Sequence, residues 1–459
     1  MKKIVRLKIL ILLLIVLNHN VLESQCFKEI SAGESHSTAL KPDGTLWAWG
    51  YNYDGQLGDG TINDYQIPTQ IGTDNQWTKI SAGINHTLAL KSDGSLWAWG
   101  QNYFGQLGDG TTVDKHAPIQ IGTDTHWSEI HAGLYLYFTI ALKSDGTLWA
   151  WGYNDAGQLG DGTTVDKHVP TQIGTDTNWS KISAGESHTI ALKSDGTLWA
   201  WGHNNNGELG DGTTVDKHIP TQVGTDTHWS KISAGFEYTI ALKSDGTLWA
   251  WGYNSEGQLG DGTGFNKHVP TQIGSDTRWN EISTNRHSVA LKNDGTLWAW
   301  GYNNSGEIGD GTLSNKYIPV QIGANWSKIS AGGSHTIALK TDGSLWTWGW
   351  NNVGQLGDGT GTDRWVPTGI ACPTSLANET IVARNNFKIY PNPVVTNLNI
   401  ETNEVIKQTF ITDCHGRVIQ TDMQNNNNAT LNLETLQAGI YFLKIITENN
   451  STVEKIIKE

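Results

Sequence analysis

The sequence has few cysteines, and after its N-terminus it has no long apolar run. Three cysteines occur in 459 residues, Cys26, Cys372 and Cys414, and their spacing fits no metal motif. No apolar run beyond the first 24 residues is long enough to span a bilayer, so we expect no integral membrane segment in the mature chain. Lys and Arg form no cluster outside those residues and the formal net charge is −14, which disfavours nucleic acid as a partner.

Short catalytic motifs are also missing. The sequence contains no phosphate-binding G-x-x-x-x-G-K-[ST], no zinc-protease H-E-x-x-H and no serine-hydrolase G-x-S-x-G. The recurring G-D-G-T lacks the alternating carboxylates of a calcium loop. We therefore predict no catalytic residues, no metal site and no cofactor.

The N-terminus has the pattern of an export signal. Lys2, Lys3, Arg6 and Lys8 precede a short run rich in Leu and Ile, and polar residues follow up to Ser24. This pattern predicts a signal peptide over residues 1–24, with a buried N-terminal helix as the alternative.

Glycine, tryptophan and repetition are abundant. The segment D-G-T-L-W-A-W-G at residues 43–50 returns, with small changes, from Asp93, Asp145, Asp195, Asp245, Asp294 and Asp342. Each copy is accompanied by W-x-x-I-S-A-G-like, H-T-I-A-L-K-S-like and V-P-T-Q-I-like segments, with a period of about 50 residues. A period of this length indicates repeated supersecondary units.

Each segment predicts one β-strand, because β-branched and aromatic residues are bounded by Gly, Pro, Asn or Asp. Four strands per repeat are typical of a propeller blade, so seven repeats predict seven blades. Both faces of L-W-A-W-G are apolar, as a sheet packed between two neighbouring blades requires. A carbohydrate-stacking array is the alternative explanation for so many tryptophans.

The motifs A-G-x-x-H-T-x-A-L, D-G-x-L-W-x-W-G and G-Q-L-G-D-G-T resemble the regulator of chromosome condensation repeat. The resemblance covers about residues 27–371 and implies a seven-bladed β-propeller. It also implies nucleotide exchange on a small nuclear GTPase, together with chromatin binding. The export signal, the acidic body and the absence of a long blade insertion argue against carrying that activity over.

Two cysteines flank the repeats, since Cys26 precedes the first strand and Cys372 follows the last. In the other repeats the corresponding positions lie in a short connection, whose ends are close enough for a disulfide. We expect a disulfide between Cys26 and Cys372 to close the ring in an oxidising compartment. Two unpaired cysteines are the alternative, and Cys414 is left over in a polar turn.

Two sets of loops share one face of the predicted ring and differ between repeats: those after A-G and those after L-W-A-W-G. Varied aromatic loops on a rigid scaffold are typical of recognition surfaces. The alternative is repeat drift, with aromatic side chains folded over the central channel. The predicted ligand-binding residues are Tyr51, Tyr135, Tyr137, Phe138, Tyr153, His203, Phe236, Tyr253, Arg286, Tyr302 and Trp350.

One histidine recurs at the same place in five repeats. These are His36, His86, His188, His287 and His335. A hydrogen bond from each loop to the backbone explains one histidine per blade more simply than metal ligation does.

The C-terminal part has a different composition. Residues 373–386 predict a polar linker, and residues 387–459 predict a small β-sandwich. That part resembles the type A C-terminal sorting domain of the type IX secretion system in three motifs. These are Y-P-N-P (Tyr390, Pro391, Asn392 and Pro393), D-x-x-G-R (413–417) and L-x-x-G-I-Y (436–441, with Gly439 and Tyr441). The resemblance implies recognition by the type IX machinery and delivery to the cell surface or medium; an autonomous adhesive module is the alternative.

The sequence thus predicts an all-β chain: a signal peptide (1–24), a seven-bladed β-propeller (25–372), a linker (373–386) and a β-sandwich (387–459). The predicted function is that of an exported, non-enzymatic propeller that binds a protein or glycan partner through its varied loops. One alternative is a surface enzyme acting on polysaccharide, which predicts carboxylates clustered on one or two blades. The other is a structural spacer.

Overall fold

The computed structural model describes residues 26–373, 387–412, 418–447 and 451–458. The predicted signal peptide, nearly all of the predicted linker, Cys414 and the D-x-x-G-R turn lie outside these ranges. The chain divides into two compact units, Met1–Pro373 and Thr374–Glu459. The described ranges consist of strands and loops, and they contain no helix long and apolar enough to cross a membrane.

The first unit contains seven antiparallel sheets of four strands each, which confirms the predicted propeller. Blade 1 is β1 (Glu29–Ala32), β2 (His36–Leu40), β3 (Leu46–Gly50) and β4 (Tyr65–Gln70). Blade 2 is β5 (Trp77–Ala82), β6 (His86–Lys91), β7 (Leu96–Gly100) and β8 (Lys115–Gln120). Blade 3 is β9 (Trp127–Ala132), β10 (Phe138–Lys143), β11 (Leu148–Gly152) and β12 (Lys167–Gln172). Blade 4 is β13 (Trp179–Ala184), β14 (His188–Lys193), β15 (Leu198–Gly202) and β16 (Lys217–Gln222).

The remaining blades have the same order. Blade 5 is β17 (Trp229–Ala234), β18 (Tyr238–Lys243), β19 (Leu248–Gly252) and β20 (Lys267–Gln272). Blade 6 is β21 (Trp279–Thr284), β22 (His287–Lys292), β23 (Leu297–Gly301) and β24 (Lys316–Gly323). Blade 7 is β25 (Trp326–Ala331), β26 (His335–Lys340), β27 (Leu345–Gly349) and β28 (Arg364–Ile370).

The first strands of consecutive blades lie side by side around a central channel. Ala82 of blade 2 donates its backbone N–H to Ser31 Oγ of blade 1, at 3.0 Å. An ion pair between Lys328 Nζ and Glu29 Oε2, at 2.6 Å, joins blade 7 to blade 1. The ring therefore closes along its inner strands.

The two apolar faces of each blade form the core by packing against the neighbouring blades. Between blades 1 and 2, Leu46 and Ala48 of β3 pack with Trp77, Ala89 and Trp99. Trp99 is fully buried, and its indole Nε1 donates to the Gln56 carbonyl of blade 1 at 2.9 Å. The equivalent indole bond is present in every blade, so the second Trp of W-x-W both fills the gap and joins two blades.

The Asp-Gly pairs form the turns between the second and third strands. In blade 2, Asp93 Oδ1 accepts the backbone N–H of Ser95 at 2.9 Å. Gly94 has φ +79°, and a Cβ there would lie 2.0 Å from the Thr125 carbonyl oxygen. Only glycine fits this turn without strain or a clash.

A disulfide joins Cys26 to Cys372 at the point where the last blade meets the first, with the two Cα atoms 5.6 Å apart. Cys26 is buried in the same core as Phe27 and Trp49 of blade 1 and Ile337 and Ile370 of blade 7. The bond therefore lies where the chain lacks a peptide connection between two adjacent blades.

The second unit is one curled sheet of five strands. These are β29 (Phe387–Tyr390), β30 (Asn397–Thr412), β31 (Val418–Asn432), β32 (Gly439–Thr447) and β33 (Ser451–Lys458). The long β30 pairs with β29 at its beginning, with β32 at its end and with β31 along most of its length. The predicted sandwich is thus a single sheet, curled around a core that includes Leu398, Ile411, Leu431 and Ile445.

Candidate functional site

The loops of the propeller fall into two sets on opposite faces. Loops after the first and third strands meet, as in the bond from Tyr51 N to the Ser35 carbonyl oxygen at 3.0 Å, and we call their side the variable face. Loops after the second and fourth strands meet on the other side, as Ser92 N bonds to the Gln76 carbonyl oxygen at 2.9 Å, and we call it the uniform face. On the variable face these loops contain many Asp and Glu residues, but their only Lys or Arg is Arg286.

Four side chains from blades 1, 3, 5 and 6 meet on the variable face over the central channel. The rings of Tyr135 and Phe236 are 4.9 Å apart, edge to face. The Arg286 guanidinium lies 4.9 Å from the Tyr135 centroid, donates to the Tyr135 hydroxyl and is 3.7 Å from Glu34 Oε1. Burial raises the pKa of Glu34, although Arg286 opposes the shift. We call Glu34, Tyr135, Phe236 and Arg286 the channel-mouth cluster, because these four side chains contact one another.

A second aromatic group lies on the same face at blades 2 and 3. Phe104 stacks on Tyr137 at 5.2 Å, meets Tyr153 at 4.7 Å and contacts Tyr103 at 5.0 Å between ring centroids. Tyr103 is 72% exposed. We call Tyr103, Phe104, Tyr137 and Tyr153 the aromatic ladder, since its outer ring faces solvent.

A third group collects acidic residues at blades 4 and 5. His203 Nδ1 is 2.5 Å from Glu208 Oε1, and this bond raises the pKa of His203 to about 9. Burial, with the nearby Glu237, raises the pKa of Glu186 to about 7, and Glu186 Oε2 has no hydrogen-bond partner. Among the described residues no set of His, Cys, Asp and Glu has the arrangement of a metal site.

The predicted ligand-binding residues therefore separate into several places. Tyr135, Phe236 and Arg286 form most of the channel-mouth cluster, Tyr137 and Tyr153 belong to the ladder, and His203 belongs to the acidic group. Tyr51 stacks on Tyr53 at 6.4 Å, and the Tyr253 hydroxyl bonds to Ser255. These two residues, Tyr302 and Trp350 are half-buried at separate positions around the face.

Phe138 does not belong to this surface. It is the first residue of β10, lies opposite Gly152 as His188 lies opposite Gly202, and is fully buried. The two extra residues of the third repeat lie before it, so Phe138 takes the place of the recurring histidine. Tyr238 takes that place in blade 5, and its hydroxyl donates to the His287 carbonyl at 2.9 Å.

The recurring histidines bond to the next blade through side chains rather than to a loop backbone. His36 Nε2 is 3.0 Å from Thr87 Oγ1, and His188 Nε2 is 3.0 Å from Thr239 Oγ1. Burial lowers the pKa of His36 to about 3, so its ring is neutral at pH 7. These histidines are structural contacts between blades.

The predicted ligand-binding residues do not include Tyr103, Phe104 or Glu208. Phe104 is the fourth residue of its loop, whereas the most visible difference between loops is at the first. Glu208 replaces the Gln of G-Q-L-G in blade 4, and that substitution was the available signal.

In the sorting motifs, Tyr390 ends β29 and its hydroxyl donates to Glu401. Pro391 and Pro393 flank Asn392, whose Oδ1 accepts the Ile457 N–H at 2.8 Å. Gly439 begins β32, and the Tyr441 hydroxyl donates to the Gln437 carbonyl at 3.0 Å. The motif residues thus join strand ends within the second unit.

Seven four-stranded blades around a channel, with varied loops on one face, define the class of seven-bladed β-propellers. The RCC1-like domain matches residues 14–285, and the regulator of chromosome condensation (RCC1) repeat matches residues 294–339, 342–383 and 326–355. The chain belongs to the RCC1-like domain family.

Two solved structures share the fold at low sequence identity. Prp20p from Saccharomyces cerevisiae is 22% identical with a TM-score of 0.65, over 81% of this chain and 91% of that one. Binding to Gsp1p and histones is described for that yeast protein. Human WBSCR16 is 22% identical with a TM-score of 0.61, over 68% of this chain and 86% of that one. At this identity the likeness shows the fold alone.

Residues 388–459 match the secretion system C-terminal sorting domain. Such a tail is delivered by the type IX secretion machinery, so the protein is exported to the cell surface or the extracellular space. This confirms the predicted localisation.

Proposed function

We propose that this protein is an exported, non-enzymatic binding module that holds a protein or glycan partner on the variable face of its propeller. The observation that carries the proposal is the difference between the two faces. Varied aromatic and acidic loops occupy the variable face, and part of the aromatic ladder is exposed there.

On the uniform face, charged side chains and aromatic rings contact one another. In blade 2, Lys91 Nζ lies 3.6 Å from the Trp97 ring centroid and 2.7 Å from Asp74 Oδ2. Lysines in the same place lie over the equivalent tryptophan in all seven blades: Lys41, Lys91, Lys143, Lys193, Lys243, Lys292 and Lys340. A face whose charges and rings are paired internally offers less to a partner than one with exposed rings.

The test is capture by the full secreted chain, immobilised and exposed to cell-surface and medium extracts. A variant with Tyr51, Tyr153, Tyr253 and Trp350 changed to Ser removes rings from the variable face. The matched control changes two exposed residues of the uniform face, His126→Ser and His228→Ser. We expect a protein or glycan that is held by the wild type and the control but lost by the first variant. Capture that is equal on all three would contradict the proposal.

The acidic group at blades 4 and 5 favours a second candidate, a surface enzyme acting on polysaccharide. A carboxyl group with a pKa near 7 close to other carboxylates has the character of a general acid. Burial, with Glu237 nearby, raises the pKa of Glu186 to about 7. If a captured polysaccharide is cleaved by the wild type and not by Glu186→Gln, the second candidate replaces the first.

A further inference from the structure

In many aromatic clusters of this propeller, a Lys or Arg side chain of the same chain lies over one of the rings. On the uniform face each blade places a lysine over its W-x-W tryptophan, as Lys143 lies 3.7 Å from the Trp149 centroid. At the channel mouth, Arg286 lies over both Tyr135 and Phe236, at 4.9 and 5.6 Å. The negative face of an aromatic ring attracts a cation, and arginine also stacks on it.

The aromatic ladder has no such cation. Within residues 26–373, all of which the structure describes, no Lys or Arg lies over Tyr103, Phe104, Tyr137 or Tyr153. The lysines that follow the two ladder loops bind carboxylates instead. Lys115 pairs with Asp109 at 3.0 Å and Lys167 pairs with Asp161 at 2.9 Å.

Four carboxylates lie near the ladder rings, with His116 near one of them, Asp54, and His168 and Lys167 near another, Asp166. Asp155 and Asp166 lie near the Tyr153 hydroxyl and raise its pKa, and Asp54 is near Tyr137. Asp114 in turn is near Asp54. None of these four aspartates forms a salt bridge in the propeller. Stacked rings and carboxylates that form no salt bridge therefore occur together.

We propose that the aromatic ladder binds an arginine side chain in a basic segment of a protein partner. The planar guanidinium would stack on the exposed ring of Tyr103 and the rings behind it, while the neighbouring aspartates balance its charge. An arginine of the partner would contact the ladder rings as Arg286 of this chain contacts the rings of Tyr135 and Phe236. This inference rests on the proposed function and specifies the partner as a protein with an exposed arginine-bearing segment.

The experiment measures binding of defined peptides to the full secreted chain by isothermal titration. The probes are Gly-Arg-Gly-Arg-Gly-Arg-Gly and the same peptide with citrulline, which keeps the shape of arginine and lacks its charge. We expect the arginine peptide to bind, and the citrulline peptide to bind about tenfold more weakly or not at all. The double variant Tyr103→Ser with Tyr137→Ser should weaken the arginine peptide about tenfold.

Two control variants separate the ladder from the general acidity of the face. Tyr53→Ser removes a ring that is 67% exposed on the same face outside the ladder, and it should leave binding unchanged. Tyr103→Phe keeps the stacking ring and should also retain binding. Equal unfolding midpoints of all variants show that the comparison concerns binding rather than folding.

The outcomes distinguish this inference from the proposed function. Failure of the wild type to bind the arginine peptide, equal binding of the citrulline peptide, or unchanged binding by the double variant would each overturn the inference. If a partner is still captured through the variable face in any of those cases, the proposed function stands without it. If the ladder binds the arginine peptide but no partner is captured, the proposed function fails, and only the affinity of the ladder for an arginine side chain is retained.

Discussion

At the scale of single residues, the most informative position is the one occupied by Glu307. Five blades have Gln at this place, and its backbone carbonyl accepts the indole N–H of the next blade. In blade 6 the Glu307 carbonyl accepts Trp348 Nε1 at 2.8 Å, so the backbone contact is kept. The side chain, however, is fully buried and its Oε1 has no partner. Burial raises the pKa of Glu307 to about 7.

Replacing this carboxyl by an amide, Glu307→Gln, should stabilise the propeller increasingly as pH rises above about 4.5, with the full effect above about pH 7. The folded-state pKa is raised, so the folded protein holds a proton that the unfolded chain releases, and stability falls as pH rises from about 4.5 to 7. We expect the free energy of unfolding of the variant to exceed that of the wild type by roughly 1–3 kcal/mol at pH 8, and to be nearly equal at pH 4.5. Denaturant titration at both pH values measures this.

The reverse change in blade 7, Gln355→Glu, is the matched control. It puts a carboxyl at the equivalent buried place and should destabilise the protein at pH 8 more than at pH 4.5. A stabilisation by Glu307→Gln that does not change with pH would show that charge burial is not its cause.

At the scale of secondary-structure elements, the third strand of each blade links local sequence to ring assembly. Its W-x-W pattern gives one tryptophan that is fully buried between blades and one whose indole bonds to the preceding Ser or Thr hydroxyl, as Trp97 does to Ser95 at 3.0 Å. The strand thus belongs to two packing interfaces at once.

Removing one inter-blade tryptophan should cost far more stability than removing a tryptophan outside the repeat positions. For Trp99→Ala we expect the free energy of unfolding to fall by about 3–5 kcal/mol, because a large buried side chain and its bond to the Gln56 carbonyl are lost. For Trp350→Ala, a half-buried residue on the variable face, we expect a loss of about 1 kcal/mol or less. Guanidinium titration compares the two, and similar losses would refute the role assigned to Trp99.

The elements were predictable from sequence because each strand is bounded by turn residues that recur with a fixed period. The contacts between loops of different blades were not predictable from the sequence. Arg286 and Tyr135 belong to loops from different blades, and these loops are one residue shorter and two residues longer, respectively, than the corresponding loops of the other repeats. The insertion lengthens only the loop, so Phe138 keeps the strand place of the recurring histidine and is buried there. Period alone fixes the angular position of a loop, whereas the reach of its side chains depends on loop length and conformation.

At the scale of the whole molecule, closure of the ring depends on the contact between blades 1 and 7. Inner-strand bonds, the buried core around Phe27 and the Cys26–Cys372 disulfide all act there. The disulfide encloses a sequence separation of 346 residues, so it restricts the unfolded chain strongly.

Removing this bond in Cys26→Ser should lower the free energy of unfolding by roughly 2–5 kcal/mol, measured by denaturant titration without reductant. Cys414→Ser should leave it unchanged. A reductant should lower the stability of the wild type and have little effect on Cys26→Ser. Recovery of both free thiols from the secreted wild type, or equal stability of all three proteins, would contradict this account.

The disulfide also changes what a single protease cut can do to the exported protein. With Cys26 bonded to Cys372, the backbone between them is a closed loop. One cut in any surface loop of the propeller then opens a circle instead of dividing a line, and the seven blades remain a single covalent molecule with new ends at the cut. The nicked propeller is in effect a circular permutant of itself, and a second cut is required before any blade can be lost.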